Sequence, residues 1–182
     1  MDWEFYENGR TIDPISVGLV AADGRELYLI NEDMNWRDLY DYMFLREHVA
    51  PHLPVKPYAE GGPWDLDHPD IDHVLSPSEM AAEVSEFFHE TPDPEIWADH
   101  AAYDHVCLAQ LFGRMIDMPK HIPWQTDDIR TEWKRLGKPE LPKQVEAEKH
   151  HALLDAQHDK VIMDYLNDLE LMREIGQKGV YL

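Results

Sequence analysis

The sequence holds one cysteine, Cys107, so no internal disulfide can staple the fold. Basic residues are scarce: 16 Lys and Arg stand against 37 Asp and Glu, a formal charge of −21. That balance excludes nucleic-acid binding through a broad polycationic surface, because phosphate contacts draw their energy from Lys and Arg displacing counterions. No apolar run approaches the roughly 20 residues that span a bilayer, so no membrane partner is expected. The opening Met1-Asp2-Trp3-Glu4-Phe5-Tyr6 has neither the basic stretch nor the apolar segment of a secretory signal, which sets the expectation of a cytoplasmic protein. What is present argues for a packed fold. Hydrophobic residues make up 43% of the 182 and include six Trp. A chain of this length buries about two thirds of its unfolded surface as one domain over residues 1–182.

The positive charge that does exist is concentrated. Residues 114–149 hold eight Lys and Arg against seven acids, a net +1, while the remainder carries −22. Such a stretch is either a solvated helix face or a place where phosphate could be met.

Residues 15–20 and 25–30 are apolar and β-branched around Ala21-Ala22-Asp23-Gly24, which predicts a β-hairpin. Asp2-Trp3-Glu4-Phe5 reads as a further strand, joined to it by the turn-rich Glu7-Asn8-Gly9-Arg10. Trp36, Leu39, Tyr40, Met43, Phe44 and Val49 fall near helical spacing, which predicts an amphipathic helix over 36–49. Between about 50 and 75, five prolines (Pro51, Pro54, Pro57, Pro63, Pro69) among His, Gly and Asp predict a loop lying on the surface. Ser76-Pro77-Ser78-Glu79 then supplies a cap, a first-turn proline and a third-position acid for a helix to about Glu90. A short strand over 96–98 and helices over about 103–115, 126–136 and 151–175 complete the order. The order strand, strand, strand, helix, helix, strand, helix, helix, helix fits an α/β or α+β fold, a mixed sheet covered by helices, better than a bundle or sandwich.

Within this frame, Asp2 and Glu4 are two apart on an extended segment, so both carboxylates leave one face and Trp3 and Phe5 the other. Parallel carboxylates repel unless both are solvated or a cation sits between them. Asp104 stands at a strand-to-helix junction, where an acid can also simply favour a helix start. His150 precedes Asp155 by five residues at the head of the last helix, a pairing that is frequent by chance among 11 histidines. The pairs His48 and His52, and His100 and His105, lack the cysteines of an ordinary zinc site, and Cys107 reads as a small apolar core residue.

The order of these three motifs, with a hairpin directly after the first, resembles that of the DEDDh 3'-to-5' exonucleases, whose fold is ribonuclease H-like. Within that superfamily the chain is similar to the ribonuclease T-like enzymes, and above all to the polyadenylate-specific exoribonuclease AS branch. The blocks that carry this are D-W-E-F, T-I-D-P-I-S-V-G-L-V, D-G-R-E-L-Y, P-H-L-P, A-Y-D-H-V-C-L-A-Q-L-F-G-R-M and H-H-A-L-L-D-A, spanning residues 2–156.

The resemblance implies a ribonuclease H-like sheet of three N-terminal antiparallel strands plus parallel strands. It implies that Asp2, Glu4, Asp104 and Asp155 hold two divalent cations, Mg²⁺ or Mn²⁺, and that His150 is the general base, with His151 as its competitor. Hard carboxylate oxygens suit those ions, and an ion pair suits in-line phosphodiester displacement. The implied activity is release of nucleoside 5'-monophosphates from single-stranded RNA 3' ends, with an adenylate preference. Exodeoxyribonuclease activity at the same site, or an inactive nucleic-acid-binding protein of the same fold, are the alternatives. Stacking on Phe5, Tyr6 or Tyr103 and phosphate contacts from Lys134, Arg135, Lys138 and Lys143 are the expected substrate contacts. A homodimer is implied by the family alone. One departure stands out: only Met1 precedes Asp2, where the family has several strand residues. The first strand is therefore expected to be short, with the free α-amino group near the metal position, unless the native start lies upstream or neighbouring strands compensate.

Overall fold

The computed structural model describes residues 1–56 and 63–178, so Pro57 and the rest of the expected loop through Gly62 lie outside the described residues. Three antiparallel strands, β1 (Asp2–Glu7), β2 (Ile12–Val20) and β3 (Glu26–Asn31), form the N-terminal part of a mixed sheet. The first turn is held by Asn8, whose side-chain oxygen accepts from the backbones of Arg10 and Thr11. In the second, Gly24 takes the left-handed φ of +89° that its turn requires. A fourth strand, β4 (Val74–Leu75), adds to β3 in parallel, giving the order β1-β2-β3-β4. A second parallel pair joins β5 (Trp97–Ala98) to β6 (Asp127–Asp128). The helices are α1 (Trp36–Asp41), α2 (Pro77–His89), α3 (Ala102–Leu111), α4 (Ile129–Arg135) and α5 (Ala152–Lys178). The architecture is α/β, a mixed sheet flanked by helices.

The period of two along β1 to β3, interrupted by a bulge that leaves Ile15 unpaired opposite Glu4 and Phe5 and turns it to the face opposite Val17, sorts side chains into two layers. Trp3, Val17, Leu19 and Leu29 pack with Met80, Val84 and Phe88 of α2 and Cys107 and Leu108 of α3. On the other face, Ile15, Tyr28 and Ile30 pack with Leu39, Leu45, Val49 and Ala152. A third cluster, Ile129, Leu136, Ile162 and Leu166, joins α4 to α5. Helix α2 begins as its sequence predicts, with Ser76 and Glu79 forming a reciprocal capping box.

The helix expected over 36–49 is broken. It ends at Asp41, Tyr42 turns extended with ψ of 120°, and a π-helical turn over Leu45–Val49 follows. The break carries Tyr42, Met43 and Phe44 out of the core, leaving them 46%, 65% and 51% exposed. Tyr42 instead packs edge-on against Tyr6 and Phe44 edge-on against His150. The expected surface loop is partly core: Leu53 and Pro54 are buried, Trp64 packs on the second cluster, and the Tyr40 hydroxyl donates to the Lys56 carbonyl. The first strand is longer than its start suggests, and the Met1 amino group donates to the Trp97 carbonyl at 2.9 Å, bridging the two sheets.

Candidate active site

Three separate elements, β1, α3 and α5, deliver the four acids. Asp2 and Glu4 lie on the β1 face opposite the buried Trp3. Their partners across the strand pair are Gly18 and Ser16. Gly18 is where α5 comes down on the sheet: a Cβ built there would lie 2.3 Å from the Ala152 carbonyl oxygen and 2.5 Å from Leu153 Cα. Only glycine admits that approach, and it sets the first turn of α5, with Asp155, beside Asp2 and Glu4. From the other side α3 brings Asp104, almost fully buried, whose Oδ1 accepts the Trp3 backbone N–H at 2.9 Å.

The segment before α5 is fixed by Asp155 itself. Its Oδ2 accepts the His150 backbone N–H at 2.8 Å and its Oδ1 accepts the Gln144 side-chain amide at 2.5 Å. The first of these bonds holds His150 in a left-handed conformation, φ +65°, which a non-glycine residue adopts only when its surroundings impose it. The ring is thereby placed with Nδ1 3.9 Å from the Glu4 carboxylate, against the Phe44 ring and near His48. Ligand atoms of Glu4, His150 and Asp155 lie within 4.8 Å of one another. His151 points elsewhere: it stacks on Tyr28, with ring centroids 4.5 Å apart, and its Nδ1 is buried without a hydrogen-bond partner.

The electrostatics follow from this gathering. Burial, and then the charges of Glu4, Asp104, Asp155 and Asp159, push the Asp2 carboxyl well above the usual carboxylate range. Burial with Asp155 and Asp104 pushes Glu4 up to about 8. Asp104 is pushed up to about 6 by burial, offset by the Trp3 N–H and the chain's amino group. Burial of the His150 ring lowers its pKa, with His48, His52 and Lys149 acting in the same direction and Asp155 opposing them. One Asp2 oxygen, Oδ2, is buried without any hydrogen-bond partner. A buried carboxylate oxygen left unpaired amid other carboxylates fits a divalent cation, since hard oxygen donors of this kind are what Mg²⁺ and Mn²⁺ take.

Asp2, Glu4, His150 and Asp155 open onto a cleft of about 610 Å³, whereas Asp104 does not line it but caps the Trp3 N–H at the open edge of β1. Lys143, expected from the sequence as a phosphate contact, also lines the cleft, while sequence reasoning missed several of its other walls: Asp99, Arg130, Gln144, Lys149 and Asp159. Asp159 was findable, because it lies one helical turn after Asp155 and so shares its face. It is buried, accepts the Asp99 backbone N–H, and is pushed up to about 7 by burial, with the amino group pulling the other way. Asp99 itself accepts from two Arg130 nitrogens, Nε and Nη2. Phe5 and Tyr103 stack nearly parallel at 5.5 Å, and Tyr6 meets Tyr42. Lys134 and Arg135 do not line the cleft; both are exposed on α4, and Arg135 is taken by Glu132 and Glu170.

Comparison with known proteins gives the family. The profile of the 3'-5' exoribonuclease Rv2179c-like domain matches residues 69–167, more than half of the chain. The 3'-5' exoribonuclease Rv2179c of Mycobacterium tuberculosis strain H37Rv is 34% identical over 157 residues, covering 85% of this chain and 84% of that protein. The chain belongs to the Rv2179c-like family of 3'-5' exoribonucleases. The counterpart from strain CDC 1551 / Oshkosh, 3'-5' exoribonuclease MT2234.1, matches with the same identity and coverage. The family match contains Asp104, His150 and Asp155, while β1 with Asp2 and Glu4 lies ahead of it.

Proposed function

We propose that this Rv2179c-like protein is a metal-dependent 3'-to-5' exoribonuclease of the DEDDh type on a ribonuclease H-like fold, in the ribonuclease T-like group near the polyadenylate-specific branch. The observation that carries this reading is the convergence of Asp2, Glu4, Asp104 and Asp155 from distant parts of the chain, with one oxygen buried and unpaired and an imidazole at the rim. The four carboxylates would hold Mg²⁺ or Mn²⁺, which when bound would offset charge on the entering and leaving oxygens of the phosphodiester. His150, kept neutral at physiological pH by its lowered pKa, accepts the proton of the attacking water. Bases of a single-stranded 3' end have ring faces to stack on at Tyr42, Phe44 and Tyr103, all half-exposed. Lys143 lines the cleft with no ion partner among the described residues and is placed to meet a phosphate. Nucleoside 5'-monophosphates are the products, adenylate the preferred base, the homodimer the assembly and the cytoplasm the compartment of this reading. No helix of the described residues is long and apolar enough to cross a membrane.

The test is degradation of a 5'-labelled single-stranded RNA and its DNA counterpart with Mg²⁺, Mn²⁺ or EDTA. A ladder of shortened RNA that needs the ion and disappears in Asp104→Asn and His150→Ala is expected. Equal shortening of DNA would move the assignment to a nuclease indifferent to the sugar. Unchanged cleavage in both variants, or in EDTA, would remove it.

A further inference from the structure

Asp155 is held from two directions, and one of the holding groups lies on a segment that has little other attachment. After Gly137 and Lys138, both at positive φ, the chain leaves α4 and crosses the cleft before reaching His150. At its start this segment is pinned by Trp133, whose indole N–H donates to the Pro139 carbonyl at 2.8 Å, and by Leu141 on the third core cluster. Beyond Leu141, the Lys149 ammonium returns to Glu146 within the segment, and the Glu148 N–H returns to the Val145 carbonyl. Among the described residues, the Gln144 amide on Asp155 Oδ1 is the one hydrogen bond that ties residues 140–149 to the rest of the fold. Its neighbour Lys143 lines the same cleft.

We propose that Gln144 is a positioning residue for Asp155, and that through this bond cation occupancy of the carboxylate cradle and the seating of the 138–149 segment over the cleft are coupled. The inference rests on the metal-dependent reading given above. A carboxylate oxygen has two acceptor directions. With one direction on each oxygen taken, by Gln144 on Oδ1 and by the His150 N–H on Oδ2, the carboxylate plane is fixed and a free direction remains on each for a cation. Outer groups that orient a ligating carboxylate in this way typically alter metal affinity by about 10- to 100-fold when removed. Coupling runs both ways: a cation that needs Asp155 in this orientation favours the state in which Gln144, and with it Lys143, is seated.

The variant is Gln144→Met, which keeps length and volume but removes the donor; Gln144→Asn, too short to reach, is the second. Mn²⁺ affinity is titrated without RNA by the electron-spin signal of the free ion. Trypsin cleavage after Lys143 is followed with and without Mn²⁺. The expected result is Mn²⁺ affinity weakened about tenfold or more in both variants. Mn²⁺ should also protect the Lys143-Gln144 bond in the native protein but not the corresponding bond in the variants. A metal-free melting temperature close to native separates this from a merely structural role, which would lower that temperature and leave the Mn²⁺ titration alone. Native-like Mn²⁺ affinity in both variants overturns the proposal. Asp155→Asn is the control. If it loses Mn²⁺ while the Gln144 variants do not, only the positioning role fails; if it binds Mn²⁺ as the native chain does, the metal reading itself fails.

Discussion

Asp159 shows what the crowding of acids does to a single residue. Its carboxyl is pushed up to about 7 by burial, against the pull of the amino group, while in the unfolded chain it titrates near 3.8. A carboxyl with a raised folded-state pKa favours folding below its unfolded pKa, and that contribution is lost as pH climbs through the folded value. Asp159→Asn removes the charge and keeps an acceptor for the Asp99 N–H, so in EDTA it should raise the melting temperature more at pH 8 than at pH 5. A fall at pH 8, or an equal rise at both, would contradict the assignment. The paired histidines separate in the same manner. His150→Ala should lower kcat by roughly 10²- to 10⁴-fold, the usual contribution of a general base, with a modest change in stability. His151→Ala, which removes a ring stacked on Tyr28, should lower the melting temperature and leave most of kcat. A larger kcat loss in His151→Ala than in His150→Ala would exchange their roles.

At the level of elements, the close approach of β2 and α5 at Gly18 is what holds the acids together. Gly18→Ala forces a methyl group into the Ala152 carbonyl, and overpacking of this kind costs on the order of 1–3 kcal/mol. Because the first turn of α5 must lift to relieve the contact, Asp155 moves with it. The expected result is a lower denaturation midpoint together with weakened Mn²⁺ binding; native Mn²⁺ affinity in a folded Gly18→Ala protein would count against the role given to that contact. The sequence showed the elements whose signals are local. The β2-β3 hairpin, the capping box at Ser76 and Glu79, and the H-x-x-x-x-D head of α5 each reside within a few consecutive residues. It did not show β4 and β6, two residues each, which exist only because a distant strand lies beside them. Nor did periodicity foresee that Met43 and Phe44, at positions suited to a buried helix face, turn outward where α1 breaks and Phe44 meets His150. Asp2, Glu4, Asp104, His150 and Asp155 were legible as an ordered set of motifs. Gln144, Asp99 and Arg130 were not, since each acts through a partner far along the chain.

For the molecule as a whole, a charge of −21 must be reconciled with a polyanionic substrate. Long-range repulsion opposes approach, and dissolved salt screens it. Short-range attraction comes from few cations: Arg130 is occupied by Asp99 and Lys149 by Glu146, which leaves Lys143 as the unpaired one among the described cleft residues. Release of counterions from a single strand gives a slope of about −0.7 in log affinity against log salt for each phosphate neutralised by the protein. Binding of a single-stranded RNA by the slow His150→Ala variant, in saturating Mn²⁺, should therefore show a slope of about −1 or shallower, unlike the steep dependence of a basic nucleic-acid-binding protein. Lys143→Ala in that background should bring the slope toward zero while weakening binding. A slope several times steeper, or one that Lys143→Ala leaves unchanged, would mean that the strand is gripped by a cationic surface elsewhere, and Lys134 and Arg135 on α4 would be the first positions to substitute.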